Sequence, residues 1–186
     1  MHERPVEGAG QPPDRATDGA GDSALRDSGL RWLWLSVLVL GLDQLTKLLA
    51  NSLLAWDQPL HLLPSLNFTL VYNTGAAFSF LSTASGWQRW FFIALGLVAV
   101  VVMVVWLSRL SVRDRLGGMA VALILGGALG NVVDRVWHGR VIDFIDVYYR
   151  HWHWPAFNVA DSAITVGVAL LIVDGVLGAR RTQEGE

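Results

Sequence analysis

Four long apolar segments place the strongest constraint on how this chain of 186 residues can fold. They cover residues 30–49, 90–110, 116–137 and 159–177, and each has about 20 residues, the length that a helix needs to cross the hydrocarbon core of a bilayer. A helix bonds its backbone N–H and C=O groups within one segment, which is necessary in lipid because lipid offers no hydrogen bonds. The sequence therefore predicts an all-α membrane protein with four transmembrane helices.

Composition supports this class and argues against several others. Hydrophobic residues make up 53% of the chain and charged residues 16%, below the roughly 25% charged residues of soluble domains. The net charge of −2 gives no basic surface for nucleic acid. The chain has no cysteine, which excludes disulfides, thiolate nucleophiles and cysteine-ligated metals. The nine tryptophans lie mostly at the ends of apolar segments, as in an interfacial aromatic belt.

The ends of the chain differ in composition from the apolar region. Residues 1–29 are rich in Gly, Pro, Asp and Arg and contain no aromatic residue, so they predict a disordered cytoplasmic tail. This tail is too long and too acidic for the start of a cleaved signal peptide, and the first apolar segment is expected to remain as an anchor. We expect a four-helix membrane domain over residues 30–178 and a short cytoplasmic tail over 179–186.

Basic residues near the segment ends predict the orientation in the membrane. The link between segments two and three carries Arg109, Arg113 and Arg115, and the C-terminal tail carries Arg180 and Arg181. Residues 51–88 contain no lysine or arginine. Because cytoplasmic loops carry the excess of basic residues, both termini should be cytoplasmic and two loops should lie on the outer side.

The two outer loops have the pattern of strands. Residues 66–73 alternate apolar and polar side chains before an Asn-Thr-Gly turn, and residues 140–149 are rich in β-branched and aromatic side chains. We expect a small extracytoplasmic β-sheet on the four-helix bundle. In a strand, Asp143 and Asp146 would face opposite sides of the sheet, whereas in a helix they would share one face.

Two aspartates are the strongest candidates for chemistry. Asp143 follows the outer end of segment three and Asp161 lies in the first turn of segment four, so the topology brings them to the same membrane surface. Two close carboxylates in a poorly solvated site share a proton near neutrality, and such a pair can activate water against a carbonyl. The alternative is that each aspartate only caps a helix or meets interfacial water.

Further polar residues lie in or beside the apolar segments, where they are costly unless paired. Asp43 and Lys47 are spaced as an i,i+4 pair, and either a structural ion pair or a catalytic role fits them. Arg135 offers several donors, either to its neighbour Asp134 or to a substrate. The spacing of Gly126 and Gly130 allows another helix, or a lipid chain, to approach closely.

Four ordered motifs resemble the lipoprotein signal peptidase (signal peptidase II) family over roughly residues 30–178. They are "DQLTK" (43–47), "YNTGAAFSFL" (72–81), "GGALGNVVDRVWHGRVIDFID" (126–146) and "FNVADSAI" (157–164). The resemblance implies an intramembrane aspartic peptidase of the bacterial inner membrane that removes signal peptides from prolipoproteins, cutting before a diacylglyceryl cysteine. It also implies a monomer in contact with membrane lipids, without a metal or other cofactor.

The same resemblance assigns roles to individual positions. The catalytic aspartates correspond to Asp143 and Asp161, and Asp43 with Lys47 corresponds to the pair in the first helix. The residues implied to line and brace the site are Asn73, Asn131, Asp134, Arg135 and Asn158.

Other interpretations compete with a peptidase. A small transporter or channel subunit would spread its charges through the membrane depth and contain an internal repeat, and a non-catalytic assembly protein would tolerate substitution of Asp143 or Asp161. His151 and His153 have no carboxylate or third histidine spaced to complete a metal site, and they fit an interfacial belt with their tryptophan neighbours. We expect Asp146 to be solvated or bonded to nearby backbone.

Overall fold

The computed structural model describes residues 28–56, 58–75 and 86–183, the last six as backbone. Within these ranges four helices are long and apolar enough to cross a membrane, as predicted. They are α1 (Leu33–Leu53), α2 (Trp87–Arg109), α3 (Arg115–Trp137) and α4 (Val159–Gln183), and a 3-10 turn (Gly29–Trp32) precedes α1. The N-terminal tail and the loop aromatics Phe78 and Phe80 lie outside the described residues.

The helix ends follow local capping signals. The α2 helix begins directly after Gly86, whose φ of 99° lies in the left-handed region that favours glycine. Asp114 caps α3 because its side chain accepts a hydrogen bond from the backbone N–H of Gly117. The α1 helix continues to Leu53, four residues beyond the predicted segment, because residues 50–53 contain no helix breaker.

Helix α3 is the centre of the bundle and packs against each of the other three helices. Small residues allow these contacts to be close. A Cβ added to Gly126 would lie 2.7 Å from the carbonyl oxygen of Ser36 in α1, and one added to Gly167 in α4 would lie 2.7 Å from that of Ala120. Neighbouring helices therefore pack closely against the glycines of α3. This was one of the two predicted alternatives, the other being a lipid chain.

A four-stranded antiparallel sheet lies at one end of the bundle. Its strands are β1 (Leu60–Leu63), β2 (Leu66–Asn73), β3 (Val141–Tyr149) and β4 (Trp152–His153), arranged in that order. Strands β2 and β3 confirm the predicted strands, whereas the short β1 and β4 were not predicted. Since β3 and β4 connect α3 to α4, the sheet holds the chain between the ends of these two helices.

The register of the sheet confirms the predicted alternation. Asp143 pairs with Val71 and Asp146 pairs with Asn67 across the β2–β3 ladder. Because these aspartates are three positions apart on one strand, their side chains lie on opposite faces.

Candidate active site

The Asp143 carboxylate is buried, with 2% of the residue exposed, near the start of β3. Its Oδ1 accepts a hydrogen bond of 2.7 Å from Asn158 Nδ2, and its Oδ2 accepts one of 3.2 Å from Asn73 Nδ2. Both donors are neutral amides. Asn73 is held in turn by its own Asx turn, since its Oδ1 accepts from the backbone N–H of Gly75 at 2.9 Å.

Asp161 lies in the first turn of α4 and is half-buried. Its backbone N–H donates to Asn158 Oδ1 at 2.9 Å, and its Oδ2 accepts from the backbone N–H of Asn158 at 3.3 Å. This reciprocal pattern is a capping box, built from Asn and Asp in place of the usual Ser or Thr and Glu. Helix capping therefore fixes Asp161, and the same Asn158 contacts Asp143, so one residue links the two carboxylates.

The two aspartates line one cavity of about 770 Å³. Its remaining polar lining includes Asn73, Asn131 and Arg135, and its apolar lining comes from residues 154–157 and from Ile164 and Val166 of α4. Burial, and next the negative charge of Asp161, raise the pKa of Asp143 to about 7, against the smaller opposing effects of Asn73, Asn158 and Lys47. The two carboxylates therefore line the same cavity and interact electrostatically.

Asp43, Lys47 and Asp134 form a buried group that we call the ion cluster. Lys47 Nζ lies 2.8 Å from Asp43 Oδ2 and 2.9 Å from Asp134 Oδ2, and each of the three residues is at most 2% exposed. The pair predicted from the i,i+4 spacing of Asp43 and Lys47 is thus present, with Asp134 as an additional partner.

Asn131 connects the ion cluster to Asp161. Its Oδ1 accepts a hydrogen bond of 3.2 Å from Lys47 Nζ, and its Nδ2 donates one of 2.8 Å to Asp161 Oδ1. Because an ammonium only donates, Lys47 fixes which end of the Asn131 amide faces the candidate aspartate.

The structure does not bear out a pair between Asp134 and Arg135. Asp134 bonds to Lys47, whereas Arg135 donates to the carbonyl oxygens of Asn131 at 3.2 Å and Gly75 at 3.0 Å and lies over the ring of Phe92. Adjacent residues of a helix point about 100° apart, which separates the two side chains. Arg135 instead lines the cavity and ties the Asn-Thr-Gly turn to α3.

Our expectation for Asp146 was wrong. Its side chain is buried, and it accepts hydrogen bonds from Asn67 Nδ2 at 3.0 Å and from His153 Nδ1 at 2.9 Å. Asn67 Oδ1 lies 2.7 Å from His61 Nδ1, so a row of polar side chains crosses all four strands. The residues that pair with Asp146 come from the neighbouring strands β2 and β4, and the sequence spacing gave no sign of them.

Gln44 is a polar residue near the site that the sequence analysis did not single out. Its Nε2 lies 2.9 Å from Asp134 Oδ1 and 3.2 Å from Asp43 Oδ2. The signal available in the sequence was its position, since a polar side chain inside an apolar segment next to Asp43 needs a partner.

Comparison with known sequences gives a consistent result. The profile of the family described as Signal peptidase (SPase) II matches residues 35–177. A lipoprotein signal peptidase of Alteromonas mediterranea is 53% identical over 149 residues, which cover 80% of this chain and 82% of the relative. One from Coxiella burnetii is 56% identical over 142 residues, covering 76% of this chain and 87% of the relative.

Solved structures agree with the sequence comparison. Two structures described as bacterial membrane enzymes, determined by the in meso method at 2.3 and 1.9 Å resolution, are 31% and 30% identical to this chain. Their TM-scores are 0.72 and 0.70, and the matches cover 80% of this chain with 89% and 96% of theirs. The chain therefore belongs to the signal peptidase II family, and it is a multi-pass bacterial inner-membrane peptidase that processes the signal peptides of lipoproteins.

Proposed function

We propose that the chain is an aspartic endopeptidase that cleaves prolipoproteins before the diacylglyceryl cysteine, with Asp143 and Asp161 as its catalytic pair. The observation that carries this proposal is their setting: both carboxylates line one cavity, and the hydrogen bonds described for them come from amide N–H groups. The hydrogen bonds to both carboxylates come from neutral donors, while the Arg135 guanidinium, which lines the same cavity and attracts both carboxylates, donates to the carbonyl oxygens of Asn131 and Gly75.

The different surroundings of the two aspartates support a different role for each in proton transfer. Asp143 is the more buried and has the raised pKa, so it holds the shared proton and donates a hydrogen bond to the scissile carbonyl oxygen. Asp161 is half-buried against the cavity and takes a proton from water as the water oxygen attacks the carbonyl carbon. As the water attacks, the Asp143 proton passes to the carbonyl oxygen, which gives a gem-diol intermediate. When this intermediate collapses, the C–N bond breaks, Asp161 gives its proton to the leaving nitrogen, and one hydroxyl of the diol returns its proton to Asp143.

The supporting residues keep this geometry. Asn73 and Asn158 orient the Asp143 carboxylate, and Asn131 orients that of Asp161. Arg135 offers donors at the cavity wall, and Asp43, Lys47 and Asp134 brace the site from behind. A metal or other cofactor has no part in these steps.

The basic residues near the helix ends support one orientation in the membrane. The sheet and the cavity belong to the outer face and both termini to the cytoplasm, because the α2–α3 link carries the basic residues. The apolar wall formed by α4 suits the acyl chains of the modified cysteine. The protein acts as a monomer surrounded by membrane lipids. A transporter is disfavoured because the buried charges gather toward the sheet end of the bundle.

A cleavage assay on a diacylglyceryl-modified prolipoprotein tests the proposal. We expect Asp143→Asn and Asp161→Asn each to lower kcat by about a thousandfold or more, as loss of a catalytic acid or base does in other hydrolases. Asp146→Asn is the matched control, since it lies on the same strand and faces the other side. Cleavage by either catalytic variant at near the wild-type rate would show that the pair does not carry the reaction.

A further inference from the structure

Gln44 holds together the two carboxylates of the ion cluster. Lys47 Nζ donates to one oxygen of each, Oδ2 of Asp43 and Oδ2 of Asp134. Gln44 Nε2 also contacts both, at 3.2 Å from Asp43 Oδ2 and 2.9 Å from Asp134 Oδ1. One ammonium cannot neutralise two buried carboxylates, so the N–H groups of Gln44 supply the additional donors that keep the carboxylates close together.

Each of these carboxylates also accepts a hydrogen bond from the backbone N–H of the residue that precedes a catalytic aspartate. Asp43 Oδ1 accepts the N–H of Ala160 at 2.9 Å, one residue before Asp161. Asp134 Oδ2 accepts the N–H of Ile142 at 3.1 Å, one residue before Asp143. The spacing between the two carboxylates of the ion cluster is thereby transmitted to the two catalytic positions.

We propose that Gln44 is a positioning residue: by bridging Asp43 and Asp134 it sets the spacing of the backbone at Ile142 and Ala160, and so the alignment of the catalytic pair. This inference rests on the proposed function. Because Gln44 lies behind the catalytic residues and is not among the side chains that line the cavity, its loss changes kcat and leaves KM nearly constant.

The experiment measures kcat, KM and the thermal unfolding midpoint of the full chain in detergent with a diacylglyceryl-modified prolipoprotein. Gln44→Met keeps length and helix propensity but removes the N–H groups, and Gln44→Lys restores a donor. Misplacement of reacting groups by a fraction of an ångström predicts a loss of kcat of about tenfold or more in Gln44→Met, with KM within about twofold of wild type. We expect Gln44→Lys to recover kcat to within about threefold of wild type.

Gln58→Leu, a comparable loss of an amide at an exposed loop position, is the matched control. The positioning role would be overturned by a wild-type kcat in folded Gln44→Met or by a change confined to KM. It would also be overturned if the kcat of Gln44→Lys did not exceed that of Gln44→Met. If Gln44→Met does not fold, Gln44→Asn replaces it: its shorter amide cannot reach both carboxylates and must lower kcat below that of Gln44→Lys. Asp143→Asn and Asp161→Asn are assayed alongside, and their activity would reject the catalytic pair itself.

Discussion

Two groups of acidic side chains, linked through Asn131, differ in the donors that contact their carboxylates. In the ion cluster, Asp43 and Asp134 contact the Lys47 ammonium. In the proposed catalytic pair, Asp143 and Asp161 accept hydrogen bonds from asparagine amides and backbone N–H groups. The ammonium of Lys47 therefore bonds directly to the carboxylates of one group, whereas those of the other group accept hydrogen bonds from neutral amides and have the Arg135 guanidinium nearby in the cavity wall.

This difference indicates a structural role for the ion cluster and a chemical role for the proposed catalytic pair. A buried carboxylate that bonds to a lysine is fixed in position by that contact and acts as a brace. A carboxylate beside a second carboxylate, with hydrogen bonds from neutral amides, is harder to ionise and can keep a proton near neutrality. Asn131 joins the two groups, since its amide receives a hydrogen bond from Lys47 and donates one to Asp161.

Removal of the cation should have the largest effect on stability. Lys47→Met leaves two buried carboxylates without their ammonium, and breaking such a pair costs about 3–5 kcal/mol of unfolding free energy. Chemical or thermal unfolding in detergent measures this loss. Leu48→Met, at an exposed apolar position next along the helix, controls for the methionine. Unchanged stability in Lys47→Met would mean that the ion cluster does not brace the bundle.

The proposed catalytic pair should show the opposite behaviour, because the buried Asp143 carboxylate destabilises the folded protein when it is ionised. The ordinary pKa of Asp143 is 3.8 and the folded state raises it to about 7, so the folded protein binds more protons than the unfolded chain between these values. Stability should therefore fall as pH rises from 4 to above 7, by a few kcal/mol. Asp143→Asn cannot ionise and should lose this contribution to the pH dependence. Equal pH profiles of the unfolding midpoint in both proteins would contradict the raised pKa.

Asp161 caps helix α4 and is also proposed to be catalytic, and two substitutions separate these roles. Both Asp161→Asn and Asp161→Ala should be inactive. Only the amide keeps an oxygen that can accept from the N–H of Asn158, so Asp161→Ala should be less stable than Asp161→Asn by about 1 kcal/mol. The difference between their unfolding free energies measures the cap. Equal stability would indicate that the capping box contributes nothing.

Asp146 provides the smallest expected effect on catalysis. It is buried like Asp143 and lies on the same strand, but it pairs with His153 and Asn67 on the other face. We expect Asp146→Asn to keep kcat within about twofold of wild type, because the amide oxygen still accepts a hydrogen bond and the cavity is unaltered. A loss of kcat similar to that of Asp143→Asn would remove the distinction between the two faces.

The parts of the molecule that depend on local pattern were predictable from the sequence. Segment length and hydropathy gave the four helices, and alternation gave β2 and β3 with the opposite faces of Asp143 and Asp146. The i,i+4 spacing gave the contact between Asp43 and Lys47. Each of these features is set by neighbours within one helical turn or one strand.

Contacts between distant elements were not predictable in the same way. Asp134 lies 87 positions from Lys47, and nothing local showed that it would bond to α1 and not to its neighbour Arg135. The partners of Asp146 come from separate strands, and the role of Gln44 depends on two helices at once. Such contacts are fixed by helix packing and sheet register, which a single sequence does not display.

The most direct test of the account is the titration of the Asp143 carboxyl group itself, followed by isotope-edited infrared spectroscopy in the wild type and in Asp161→Asn, with Asp143→Asn to assign the band. We predict a pKa of about 7 in the wild type and a lower value in Asp161→Asn, because the neighbouring charge that raises it is gone. Identical titration in the two proteins, or a wild-type Asp143 that titrates near its ordinary value of 3.8, would contradict a coupled catalytic pair.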